Sequence, residues 1–224
     1  MKNKKGHRQR QIEKFLNNSR NFNMKDIVEI LLFICLPRID TKSIAEDILK
    51  DNNSLISIFN QPTEIFLKIK NINKNTVMIF KLIYEIALRI IEEKISKKNV
   101  LEDFLDLINY SKLLVSEKTQ EEMYIIYLNI KNQIIKTSLI NKGNLNSVNV
   151  DNRAILQSCI LNGASSIILL HNHPSGDPMP SKEDILITNY LIEMLKYISV
   201  KVIDHIIIGG SDFTSMRQNG TIKF

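Results

Sequence analysis

Tryptophan is absent from this 224-residue chain, and histidine occurs only four times, cysteine twice, proline five times and glycine seven times. The two cysteines, Cys35 and Cys159, stand far apart, and neither belongs to a CxxC pair. This excludes a disulfide framework and a cysteine-rich zinc site, and it fits a reducing compartment. Both thiols sit on apolar helical faces and are expected to be buried and unpaired. The longest apolar run, IVEILLFICL, falls far short of the ~20 residues of a membrane span. The basic start is not followed by an apolar stretch with a small-residue cleavage site, so no secretory leader is read. The expectation is a soluble, cytoplasmic protein with no membrane partner. Also missing are HExxH, the Walker A motif, GxGxxG and GxSxG, which removes a helix-borne zincin site and the common nucleotide and serine-hydrolase signatures.

What is present is a chain rich in Ile, Asn and Lys, with 44% hydrophobic residues, enough for a buried core in one large or two small domains. Net charge is +6, and much of the excess is crowded into MKNKKGHRQR, which contains no acid. Such a tail is expected to be solvated and frayed. From residue 8 to about 95 the pattern is helical. The segment MKDIVEILLFICL stops at Pro37, Asp40 or Thr41 can cap KSIAEDILK, Pro62 suits the first turn of PTEIFLKI, and a long helix covers about 76–95.

The polar stretch SKKNV marks the expected boundary between a helical module at 1–98 and a second domain at 101–224. A helix over about 101–114 is followed by a change of texture. MYIIYLNI and QIIKTSLI read as a hairpin turning at Lys131-Asn132, and LNSVNV as a short extended piece. Asp151 can cap NRAILQSCILNG, which ends at Gly163. SSIILLHNH reads as a buried strand, 181–198 as a helix, and VKVIDHIIIGG and DFTSM as further strands. The fold class is therefore α+β, a helical module followed by a mixed α/β domain.

Two of the four histidines fall within HNHPSGDPMPSKED, at 171 and 173. Residues two apart on a strand share a face, so both imidazoles project together where a buried strand meets a proline-rich loop. Asp184 follows in the first turn of the next helix. A His, His, carboxylate set suits zinc and leaves a fourth position for water. Ser181-x-x-Asp184 is at the same time a capping-box pattern, which by itself is structural.

The spacing His-x-His-x7-Ser-x2-Asp resembles the JAMM (MPN-type) metalloprotease signature. Together with DHIIIG at 204–209, the stretch more narrowly resembles the bacterial RadC family, historically labelled DNA repair proteins, over most of 101–224. The resemblance implies a cytidine-deaminase-like fold for the second domain. It also implies a Zn2+ ion held by His171, His173 and Asp184, and hydrolysis of an amide bond in a protein or peptide substrate. The family places a general-base glutamate on an early strand. In TQEEMYIIYLN only one of Glu121 and Glu122 can face the site, and the family's pattern puts the role on Glu121, with Met123 where a Phe is usual. Ser181 is expected to steady the oxyanion or to cap its helix. Asp177 is set aside as a ligand because the spacing assigns that role to Asp184. His205, inside an apolar strand, is read as structural, and His7 as part of the tail.

RadC relatives carry a helix-hairpin-helix module ahead of this domain. Here Asn71 and Asn73 stand where its glycines are expected. Asn tolerates a left-handed backbone, but its side chain crowds a close phosphate contact. Lys70 and Lys74 compensate in part, so any DNA binding is expected to be weak. The alternative to a metallopeptidase is a DNA-binding repair or recombination accessory protein in which the zinc domain is secondary or non-catalytic. The sequence does not indicate an oligomeric state.

Overall fold

The computed structural model describes residues 6–115, 118–143 and 151–223. The expected extended piece LNSVNV lies outside the described residues. The described chain divides into two compact units, 1–86 and 87–224.

The first unit is helical. Its helices are α1 (His7–Asn17), α2 (Met24–Cys35), α3 (Lys42–Leu49), α4 (Leu55–Asn60), α5 (Thr63–Phe66) and the first part of α6 (Lys74–Ser96), with one 3-10 turn at Ser19–Asn21. Asn23 and Asp26 close a reciprocal capping box at the start of α2, and Ser54 and Ser57 do the same for α4. Between Asp40 and Thr41, it is Asp40 that accepts from the Lys42 amide, at 3.1 Å. The buried residues Val28, Leu32, Ile48, Ile58, Phe66 and Phe80 form the core of this unit.

Two expectations for this half need correction. From residue 7 onward the basic tail is folded rather than frayed. Arg8 lies over the Phe33 ring at 4.7 Å and donates to the carbonyls of Phe33, Leu36, Pro37 and Ile39. It thereby serves the orphan carbonyls at the C-terminal end of α2. His7 meets the buried Glu29 at 3.3 Å. Cys35, expected to be buried, is only half-buried, whereas Cys159 is buried; both are free thiols. Burial raises the Cys35 thiol above its ordinary pKa and pushes Cys159 up to about 11.

The compact units meet inside α6, whose Ile91 and Ile95 pack with the second unit's core. Before α6, Asn71 takes a left-handed φ of 69°, and the Asn73 side chain accepts from the Thr76 amide at 3.0 Å and from the Thr76 hydroxyl at 3.3 Å.

The second unit contains the end of α6, α7 (Phe104–Val115), α8 (Asn152–Leu161), α9 (Lys182–Lys196) and five strands. The strands are β1 (Glu122–Leu128), β2 (Ile134–Lys142), β3 (Ser166–His173), β4 (Lys201–Gly209) and β5 (Asp212–Ser215), in the order β2-β1-β3-β4-β5. Only β3 and β4 run parallel, joined through α9; the other pairs are antiparallel.

β1 and β3 are covered on both faces, which is why they read as continuous apolar runs. Met123, Ile125, Tyr127, Ile167 and Leu169 face one core with residues of α8 and α9. Tyr124, Ile126, Leu128, Ile168 and Leu170 face the other, with residues of α7 and the end of α6. One irregularity matters for the site. In the β3/β4 ladder Ile167 pairs with Val202 but Ile168 with Asp204, so Ile203 is an extra residue in β4. Such a bulge reverses which face the following residues present.

Candidate metal centre

The first face of β3 carries Ile167 and Leu169 and then, by the same alternation, His171 and His173. The apolar part of that face buries against α9, and the two imidazoles project where β3 ends and α9 begins. Open sheets place ligand sites at this point, beyond the carboxyl end of a parallel strand. Asp184 is buried in the first turn of α9. His171, His173 and Asp184 are the group among the described residues that could hold a metal ion. His171 Nε2 lies 2.8 Å from His173 Nε2 and 3.2 Å from Asp184 Oδ1, and His173 Nε2 lies 3.4 Å from Asp184 Oδ2. Ligand atoms of a tetrahedral zinc with bonds of about 2 Å stand roughly 3.3 Å apart, so the triangle is of the right size.

The donor set also fits on chemical grounds. His173 Nδ1 lies 2.8 Å from the Asp177 carbonyl oxygen. A carbonyl only accepts, so on a neutral ring Nδ1 carries the hydrogen and Nε2 is bare. A bare nitrogen beside a carboxylate and a second imidazole nitrogen is unfavourable unless a proton or a cation lies among them. The hydrogen bond that the Asp184 carboxylate accepts accordingly raises the proton affinity of His173, against the opposing effect of burial. His171 behaves differently: burial, then the neighbouring His205, hold it well below the ordinary imidazole value. Against the cost of burial, His173, His171 and Ser181 keep the Asp184 carboxyl well below the usual carboxylate range. A divalent cation would satisfy all three groups at once.

Ser181 is the N-cap of α9 and forms the capping box with Asp184. Its hydroxyl donates to Asp184 Oδ2 at 2.6 Å, its amide donates to the same oxygen at 2.7 Å, and its oxygen accepts from the Asp184 amide at 3.1 Å. The Ser181 hydrogens thus converge on Oδ2, and Oδ1 is turned toward His171. In this arrangement Ser181 holds the carboxylate; stabilising an oxyanion would require its hydroxyl hydrogen to swing away.

Glu121 precedes β1 and is half-buried. Met123 pairs with His171 across the antiparallel ladder, so the register continued by two residues sets Glu121 opposite His173, on the same face. Its charge contributes to the raised proton affinity of His173. Glu122 faces the other way. It accepts from the Tyr124 hydroxyl at 2.7 Å and meets Lys142 at 3.3 Å and Lys118 at 3.8 Å. Despite burial, these partners lower its pKa.

Three residues gain functions that the sequence did not suggest. Asn172, read as loop geometry, accepts from the Glu122 amide at 2.9 Å and donates to the Gln120 carbonyl at 3.1 Å, clamping the backbone on both sides of Glu121. Gly209 lies directly under the 176–178 loop. A Cβ there would stand 2.5 Å from the Pro178 nitrogen and 2.7 Å from the Gly176 oxygen. Only glycine allows the approach that brings the Asp177 carbonyl to His173. His205, read as structural, places Nε2 2.7 Å from His171 Nδ1 and is fully buried, which lowers its pKa to about 4. The bulge at Ile203 turns its ring toward the site. Asp177 contributes its carbonyl, while its carboxylate accepts from the Met179 amide at 3.0 Å and fixes the loop.

No helix among the described residues is long and apolar enough to cross a membrane. Residues 101–221 match the description of a RadC-like JAB domain. A UPF0758 protein of Fusobacterium nucleatum subsp. nucleatum is 34% identical over 229 residues, an alignment covering 99% of each chain. The domain match spans the sheet, α9 and every residue of the His171–His173–Asp184 group, and the relative extends the likeness through the helical unit: the chain belongs to the RadC family of JAB-domain proteins.

Proposed function

We propose that the second unit is a zinc-dependent amide hydrolase of the metallopeptidase or isopeptidase type, acting in the cytoplasm on a protein or peptide. The observation that carries this reading is the convergence of three acceptors, His171 Nε2, His173 Nε2 and an Asp184 oxygen, within 4.8 Å of one another at the end of a parallel strand. A zinc ion held by His171, His173 and Asp184 would supply a Lewis acid and a water activated near neutral pH. Glu121, on the same face as the two histidines, receives the proton from the attacking water and passes it to the leaving amine. Asn172 fixes the backbone from which Glu121 reaches, and Ser181 holds Asp184.

The test combines metal analysis with an unbiased screen of peptide and isopeptide cleavage, with and without chelator. About one zinc per chain is expected, with hydrolysis that chelator abolishes and zinc restores. His173→Ala should lose both. Full zinc retention by that variant, or hydrolysis indifferent to chelator, would overturn the reading.

A further inference from the structure

Thr188 lies one turn beyond Asp184 on α9, is fully buried, and touches none of the three acceptors directly through its hydroxyl. That hydroxyl donates to the Asp184 carbonyl oxygen at 2.5 Å and lies 2.6 Å from His205 Nδ1. A hydroxyl has one hydrogen. It is committed to a carbonyl that can only accept, so the contact with His205 requires Nδ1 of that ring to carry the hydrogen. On a neutral ring His205 Nε2 is then bare and accepts. Its neighbour at 2.7 Å is His171 Nδ1, which must donate. The second nitrogen of His171, Nε2, is left bare, and this is the atom turned toward His173 and Asp184.

We propose that Thr188 and His205 form a relay that locks His171 in its metal-binding tautomer, making Thr188 a positioning residue for a site it does not enter. The inference rests on the metal-site reading given above. His173 has its own lock, the Asp177 carbonyl, so each histidine is set by a different element: one by α9 through β4, the other by the 176–178 loop over Gly209. Outer partners of this kind orient ligands and raise their basicity.

Thr188→Val preserves shape and removes the hydroxyl. The His205 hydrogen is then free to move to Nε2, where it would donate to His171 and drive the His171 hydrogen onto the atom facing Asp184. Long-range 1H–15N spectra of the metal-free protein should show His171 protonated at Nδ1 in the wild type and at Nε2 in Thr188→Val. Competition with a chelator should show zinc and cobalt(II) bound roughly 10- to 100-fold more weakly by that variant. Thr188→Ser keeps the hydroxyl and should retain both the tautomer and the affinity. His205→Leu should weaken binding at least as much, and adding Thr188→Val to it should cost nothing further, because the hydroxyl acts only through the ring. If Thr188→Val does not fold, His205→Leu reads the same relay one link nearer the metal. Unchanged affinity and tautomer in a folded Thr188→Val, or additive losses in the double variant, overturn the relay. If the wild type takes up neither ion, the metal-site reading falls and the relay's function falls with it.

Discussion

The turns leading into α6 and α9 use the same local device to different ends. Before α6, Asn73 turns its side-chain oxygen onto the Thr76 amide and hydroxyl, and that acceptor is spent on the helix start. Before α9, Ser181 and Asp184 cap each other, yet the Asp184 carboxylate keeps one oxygen turned toward His171. The first turn is closed, whereas the second retains an unspent acceptor, buried beside two imidazoles. The same contrast runs across adjacent residues of β1. Glu122 is saturated by a tyrosine hydroxyl and two lysines, while Glu121 looks across the sheet at His173. Chemical capability here follows the groups whose lone pairs the fold leaves uncommitted, not the motif by which a helix or strand begins.

The largest effect should separate the two glutamates. Glu121→Gln preserves shape but cannot accept a proton, and on the proposed reading it removes a positioned general base, a loss that costs a factor of about 10² to 10⁴ in rate. Zinc content should stay unchanged, because the three proposed ligands remain. Glu122→Gln should leave turnover near the wild-type level, since that carboxylate is already engaged on the opposite face. Measuring kcat and zinc stoichiometry on both variants decides the matter. The opposite ranking would mean that the face assignment across β1 is wrong by one residue.

A smaller effect is expected from Asp184→Asn. The amide can still accept from Ser181 and preserve the cap, but it puts an NH2 group beside the two imidazole nitrogens and removes an anionic ligand. Zinc affinity should fall by at least about tenfold. The metal-free variant should also lose stability near neutral pH, because the fold holds the Asp184 carboxyl well below its usual range and a neutral amide gives up that stabilisation. Thermal melts with and without zinc test this. The metal-free Tm should drop, and the zinc-dependent rise in Tm should shrink as well. A metal-free Tm that stays at the wild-type value, with the zinc-dependent rise intact, would mean that the Asp184 charge serves neither the fold nor the metal.

The parts of this picture that could be read from the sequence are those encoded by short-range periodicity. His171 and His173 share a face because a strand alternates every residue, and the loop and cap that bring in Asp184 lie within the next eleven positions. The parts that could not be read depend on register or on distant partners. Alternation counted through β4 does not reveal the extra residue at Ile203, and without it His205 is one more histidine in an apolar strand. The engagement of Arg8 with the end of α2 depends on residues some way further along the chain, and a run of basic residues taken alone carries the pattern of a solvated tail. The division within α6 was equally hidden, because the helical pattern runs unbroken through it while Ile91 and Ile95 change cores. Asn172, placed between two residues that attract all the attention, gives no sign in its own identity that it clamps the backbone beside Glu121.

The smallest effect compares the two helix starts directly, through the same substitution at each. Replacing a capping side chain by alanine typically costs about 1 kcal/mol of stability. Asn73→Ala should lose about that much, because the Thr76 amide loses its partner, and nothing else about the protein should change. Ser181→Ala should lose a similar amount, because the Asp184 amide loses its acceptor. It also releases the hydroxyl hydrogen bond that holds Asp184 Oδ2, so it should additionally weaken zinc binding, by roughly tenfold. Denaturation of both metal-free variants, set beside chelator competition on both, gives the comparison its sharpest form. Equal stability losses with a zinc effect confined to Ser181→Ala would show one capping device serving two purposes. A zinc effect from Asn73→Ala, or none from Ser181→Ala, would remove the distinction between the closed turn and the open one.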